Sequence, residues 1–182
     1  MSESPAEFRL PSRPLDRDAE REFLAHIYFA LDGQWFLKVR DAVGDEAARD
    51  LNEHMCAALA RIQLRAFLRL TGFDGVRDAR DLGRFVVAIH DALYGDYTTA
   101  FEITVDTPDV FEIKYTSCQI WDMGNRAGYA EEAEPGDLPG CAGILAMASG
   151  WAAAAGNYVL ERNPGLRDGN VACVYRFVQM KA

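Results

Sequence analysis

Near residue 100 the hydrophobic period of this chain changes from about 3.6 residues to 2, and that switch limits the fold more than any other feature of the sequence. Before it, Leu51, Met55, Leu59, Ile62, Ala66 and Leu70 recur every three or four residues. Leu82, Phe85, Val86, Ile89 and Leu93 do the same behind Asp78. Such stripes predict helices buried on one face. After the switch, Phe101, Ile103 and Val105, then Phe111, Ile113 and Tyr115, alternate with polar neighbours around Thr107-Pro108-Asp109. That pattern predicts a hairpin of half-buried strands.

The remaining punctuation fills in an α+β fold. Residues 1 to about 14 carry Pro5, Pro11 and Pro14 and predict a flexible arm, followed by one domain over 15–182. Phe23, Ile27, Phe29 and Leu31, then Trp35, Phe36, Val39 and Val43, predict two helices or one helix broken at Asp32-Gly33, with Asp32 as the cap of the second half. Leu138-Pro139-Gly140 opens a helix of small residues ending at Ala155, and strands follow around Tyr158–Arg162 and Val171–Met180. The expected architecture is an N-terminal helical layer followed by an antiparallel sheet of about four strands with an inserted small-residue helix. Gly143, Ala146, Gly150 and Ala154 give that helix a smooth side that a backbone or a flat ligand can approach closely.

Charge and apolar content narrow the function. The net charge of -9 opposes binding to phosphate backbones, so no nucleic-acid partner is expected. No apolar run reaches the roughly 18–20 residues that a membrane span needs, and the first residues lack a secretory leader, so a cytoplasmic protein without a membrane partner is expected. The expected partner is a small-molecule ligand or substrate, and a homo-oligomer is compatible with the sequence.

Cysteine placement carries the chemical expectation. Cys118, Cys141 and Cys173 each sit at an element boundary, whereas Cys56 lies on a predicted helix and reads as a small buried hydrophobe. With Glu161, the three thiols would supply the four ligands of a zinc ion, although no Cys-x-x-Cys hook is present. Alternatively, Cys141, at the start of a helix behind Pro139-Gly140, has the position of an activated nucleophile, with Cys118 as a second thiol. Trp121 and Arg126 would meet a flat acidic ligand. His26, His54 and His90 lie on predicted helices, and none stands beside a cysteine in sequence.

Two stretches resemble known families. Asp32-Gly33-Gln34-Trp35-Phe36-Leu37 and Arg61-Ile62-Gln63, with Cys118, Pro139-Gly140-Cys141 and Cys173-Val174-Tyr175-Arg176-Phe177, resemble the L-2-amino-thiazoline-4-carboxylic acid hydrolase-like family over residues 20 to 180. The order Cys141, glycine-rich helix, Glu161, Cys173 resembles the vinyl-reductase-type small-molecule-binding domain. Where that pattern would place a cysteine shortly after the glutamate, this chain has Arg162-Asn163-Pro164-Gly165. The first resemblance implies a hydrolase opening a C=N or amide-like bond of a small cyclic substrate, with Asp32 and Trp35 as further substrate-binding candidates. The second implies a non-catalytic binding module with a cysteine-rich, zinc-holding site.

Overall fold

A computed structural model describes residues 15–94, 100–118, 120–122, 138–163, 166–167, 170–171 and 173–181. The arm predicted over 1–14 and the ligand-binding candidate Arg126 lie outside the described residues. Four helices and two sheets are present among those described. Helix α1 (Arg17–Val43) and helix α2 (Asp45–Thr71) form an antiparallel pair that turns at Gly44, whose φ of 91° suits glycine. Helix α3 (Ala79–Ile89) runs on into a π-helical turn, His90–Tyr94. Strands β1 (Phe101–Asp106) and β2 (Val110–Tyr115) follow, then α4 (Pro139–Ala155), β3 (Tyr158–Asn163), β4 (Leu166–Arg167), β5 (Asn170–Val171) and β6 (Val174–Gln179).

The four long strands form one antiparallel sheet in the order β1-β2-β6-β3, as the change of period predicts, and β4 and β5 pair as a small separate ribbon. Hydrogen bonds at Thr107 close the hairpin between β1 and β2: its N–H and hydroxyl both reach the Val110 carbonyl. One face of the sheet is covered. On it, Phe111, Ile113 and Tyr115 of β2 and Tyr175 and Phe177 of β6 meet Leu82, Phe85 and Val86 of α3 and Trp151 of α4. The other face is polar, with Arg176 between Glu112 and Glu161 at 3.9 and 3.8 Å.

Helix α1 departs from the broken helix expected at Asp32-Gly33. It runs unbroken for 27 residues, because one internal glycine costs only about 1 kcal/mol against alanine and the rest of the helix outweighs it. Asp32 therefore caps nothing; Asp16 is the N-cap, accepting from the Ala19 N–H at 2.9 Å.

The small-residue helix behaves as a close-packing device, but its partner is a helix. A Cβ on Gly150 would lie 2.8 Å from Ala60 Cβ and 3.1 Å from the Ala57 carbonyl oxygen, so α2 and α4 touch nearly backbone to backbone. Gly143, about two turns earlier, gives the same clearance to Asn52 and Cys56. Cys56 is buried as a small core residue. The buried face of α2 is Ala48, Cys56, Ala60 and Leu64 and not the expected stripe, whose Leu51, Ile62 and Leu70 are exposed, because the glycines of α4 bring that helix against small side chains. The opposite side of α4 sends Met147, Ala148 and Trp151 into the core, where the Trp151 indole N–H donates to Gln63 Oε1 at 2.8 Å.

Candidate functional site

Strand register builds the site. Across the covered face, Phe111, Phe177 and Leu160 form one row, and Ile113, Tyr175 and Arg162 form the next. Beyond them the Tyr115 N–H donates to the Cys173 carbonyl at 2.8 Å, which continues the ladder. Moving along the sheet, the inner face thus changes from wholly apolar to phenol, guanidinium and thiol. Side-chain period fixes this: residues two apart on a strand share a face, so Cys173 goes with Tyr175 and Arg162 with Leu160 and Tyr158.

Tyr175 is the centre of the group. Burial pushes its phenol well above the usual tyrosine range; Arg162 pulls it back, and Cys173, Cys141 and Cys118 push it further up. Those three thiols therefore lie within electrostatic range of this one hydroxyl. The Arg162 guanidinium lies over the Tyr175 ring, with Cζ 5.5 Å from the centroid, a cation–π contact. Its Nε is buried and has no acceptor among the described residues. An unpaired buried donor on a charged group is costly and calls for an acceptor.

Behind Tyr175 lies a second polar pair. Tyr115 packs edge-on to Tyr175 at 5.2 Å, and its hydroxyl is 2.7 Å from His90 Nε2. His90 Nδ1 lies 2.7 Å from the Val86 carbonyl, so Nδ1 carries the proton and Nε2 accepts from the phenol. Burial holds the His90 pKa below its ordinary 6.5.

That shift has a sign. The folded-state pKa is lowered, so the contribution of His90 to stability is complete above pH 6.5 and is lost as pH falls below 6.5, where the unfolded chain takes up the proton first. The loss is at most about 1.4 kcal/mol per pH unit in that range. Urea midpoints between pH 7.5 and 5.5 should fall for the native chain and fall less for His90→Gln; equal slopes would contradict the assignment.

The segment carrying Cys118 closes one end. Burial raises the Cys118 thiol pKa, offset in part by the Trp121 and Ile120 N–H groups that bond to it. The sulfur thus acts as a cap on the short turn 120–122, and it stays protonated at neutral pH. Ile120 rests on Gly140, where a Cβ would come within 2.8 Å, and Trp121 is buried. Cys118–Trp121, the start of α4 and, through Gly143, the middle of α2 thus adjoin.

Cys141 occupies the first turn of α4, as predicted, but the turn is not an open cradle. The N–H groups of Cys141 and Ala142 both donate to the Leu138 carbonyl, at 2.8 and 3.1 Å. Neither is available to hold an oxyanion there.

The remaining sequence candidates lie elsewhere. Glu161 projects to the polar face of the sheet, paired with Arg176, because it alternates with Arg162. Strand parity therefore separates it from the thiols. Among the described residues no group of three or more His, Cys, Asp or Glu side chains is arranged to hold a metal ion, so the expected zinc set of Cys118, Cys141, Glu161 and Cys173 is not assembled. Trp35 is exposed on α1. Asp32 faces inward, its carboxyl pKa raised by burial, and it joins burial in lifting Tyr28 and Cys56 to about 12. A groove of about 450 Å³ between α2 and α4 is lined by Asp50, Glu53, His54 and Arg61 and by Ala146, Gly150 and Ala154 of the small-residue face, and it contains none of the thiol, tryptophan or Asp32 candidates.

Comparison with known proteins reaches the fold. No family model and no curated protein matches this chain. The trafficking protein particle complex subunit 3 from Naegleria fowleri, in a crystal structure covalently bound to palmitic acid, is similar over 91% of this chain and 98% of its own, with a TM-score of 0.51 and 12% identity. A protein of the H-NOX family, from work on heme distortion, covers 97% of this chain and 79% of its own at a TM-score of 0.44 and 15% identity. The first likeness agrees with the α+β arrangement; the second is too low to add to it. No helix among the described residues is long and apolar enough to cross a membrane.

Sequence reasoning missed Arg162, Tyr175, Tyr115 and His90. A signal for the first was available: an arginine in phase with Tyr158 and Leu160 on a half-buried strand must point inward.

Proposed function

We propose that this domain is a non-catalytic binding module for a small apolar molecule that carries a carboxylate. The observation behind it is the buried Arg162 Nε, which has no acceptor among the described residues and belongs to a guanidinium lying over the Tyr175 ring. A carboxylate would satisfy that donor through a charge-assisted hydrogen bond, while the aromatic rings beside it offer apolar contact. The vinyl-reductase-like order of the second half supports binding over turnover. The trafficking subunit of similar fold is covalently bound to palmitic acid, so a long acyl chain is the first apolar part to test, with the carboxylate argued from Arg162 alone.

A thermal-shift series decides it. Hexadecanoate and an aromatic carboxylate such as 2-naphthoate should raise the melting temperature in a saturable way, and the corresponding alcohols should not. Equal shifts with acid and alcohol would refute a role for the guanidinium.

A second reading keeps the thiazoline carboxylate hydrolase resemblance: Cys141, in the first turn of α4, attacks a C=N or amide-like carbon of a small cyclic acid, with Arg162 holding its carboxylate. The helix dipole favours this position for a thiolate. Against it, His90 has both nitrogens engaged and His54 pairs with Asp50 on the exposed side of α2, so neither serves as base. Turnover of an amino-thiazoline carboxylate that disappears in Cys141→Ser would establish the hydrolase instead.

A further inference from the structure

The outer side of α1 is apolar and exposed: Phe23 is 54% exposed, Leu24 59%, Ile27 47%, Leu31 67% and Trp35 62%. We infer that this face is the interface of a homodimer, in which α1 pairs antiparallel with α1 of a second copy about a two-fold axis near residue 29.

The spacing argues for a helix partner. Glu20, Leu24, Ile27, Leu31, Gln34 and Lys38 follow one another at intervals of four and three, the seam of a coiled coil that crosses its partner at about 20°. Phe23 and Trp35 flank the seam on its two sides. Ala25 and Asp32, by contrast, turn toward the rest of the chain.

The order along the seam argues for a second copy of this chain. Antiparallel pairing about residue 29 sets Ile27 opposite Leu31 and Leu24 opposite Gln34. At the ends it sets Glu20 opposite Lys38 and Arg17 opposite Asp41, so each charge meets its opposite. A closed two-fold interface needs such self-complementarity, since every contact occurs twice. Both charges of the first pair lie in line with Leu24, Ile27 and Leu31, because residues 18 apart on a helix share one direction.

The area is also right. The five apolar side chains leave on the order of 500 Å² exposed, toward the upper end of the largest apolar patch on a typical monomer. A standard interface covers about 800 Å² per partner, and homodimer interfaces are about 65% apolar, which calls for a similar figure. The net charge of -9 per chain opposes association only at long range and is screened within about 8 Å at physiological salt.

Sedimentation of the full chain tests this. At about 50 µM the native protein should sediment as a dimer, twice the 20.2 kDa of one chain. Leu31→Asp should be monomeric with an unchanged circular dichroism spectrum, since the side chain is exposed. Lys38→Glu places like charges together at both ends and should weaken the dimer by about tenfold; Glu20→Lys combined with Lys38→Glu should restore it to within about threefold of native. That rescue depends on the antiparallel register and on no fold defect. A native monomer, including one whose own residues 1–14 cover this face, would overturn the inference. So would a dimer that Leu31→Asp and Lys38→Glu leave intact.

Discussion

Trp151→Ala should be the most damaging single truncation in this protein, lowering stability by about 3–5 kcal/mol. The indole is 2% exposed and packs edge-on against Phe85 at 5.5 Å, with the rings perpendicular. Its N–H is the donor to Gln63 Oε1, so removal opens a cavity at the meeting of α2, α3 and α4 and leaves a part-buried amide without its donor. Trp151→Phe keeps much of the ring but loses the bond, and should cost less. Urea unfolding of the two variants checks the order; a Trp151→Ala loss under about 1 kcal/mol would contradict the core assignment.

The second large effect comes from adding a single methyl group. A Cβ at Gly83 would lie 2.3 Å from Cδ2 of Phe111, far inside contact distance, because α3 lies against β2 through this glycine. Both residues are buried and Phe111 is also in contact with Phe177, so the ring has little room to withdraw. Gly83→Ala should therefore destabilise by about 1–3 kcal/mol, despite the better helix propensity of alanine, which would favour the change by about 1 kcal/mol on an open surface. Phe111→Leu should relieve the clash, so the double variant should lose less than the two single losses added together. Strict additivity would show that Gly83 is not tight against that ring.

Much of the architecture is legible in the sequence because it rests on short-range patterns. The change of period near residue 100, Thr107-Pro108-Asp109 between alternating strands, Asp78 before an apolar helix and Leu138-Pro139-Gly140 before α4 all act within a few residues, and each marks the element it predicts. The error at Asp32-Gly33 came from treating glycine as a stop where its helical cost was affordable within a 27-residue helix.

The site was less legible because it depends on which residues come to share a face through the fold. Cys118, Cys141 and Cys173 stood out as thiols, and all three lie within electrostatic range of one hydroxyl, that of Tyr175. Glu161 looked equally suitable until strand parity turned it to the other side, and its neighbour Arg162 took the inward place. Trp35 looked like a pocket residue by its resemblance, yet helical phase sets it beside Leu31 on the outer side of α1. His90 and Tyr115 are 25 residues apart in the chain and meet only because α3 lies across β2.

The central claim is that Arg162 waits for a carboxylate, and titration calorimetry of hexadecanoate and 2-naphthoate into the native chain and Arg162→Met tests it most directly. Methionine keeps the length and apolar packing of the side chain while removing the charge and the unpaired donor. A charge-assisted hydrogen bond is worth about 1.5–3 kcal/mol, so affinity for at least one of the two acids should fall about 10- to 150-fold in the variant. The variant should also be no less stable than the native chain without ligand, since it no longer buries an unsatisfied Nε. Absence of binding by the native chain, or equal affinity in both proteins, would contradict the account.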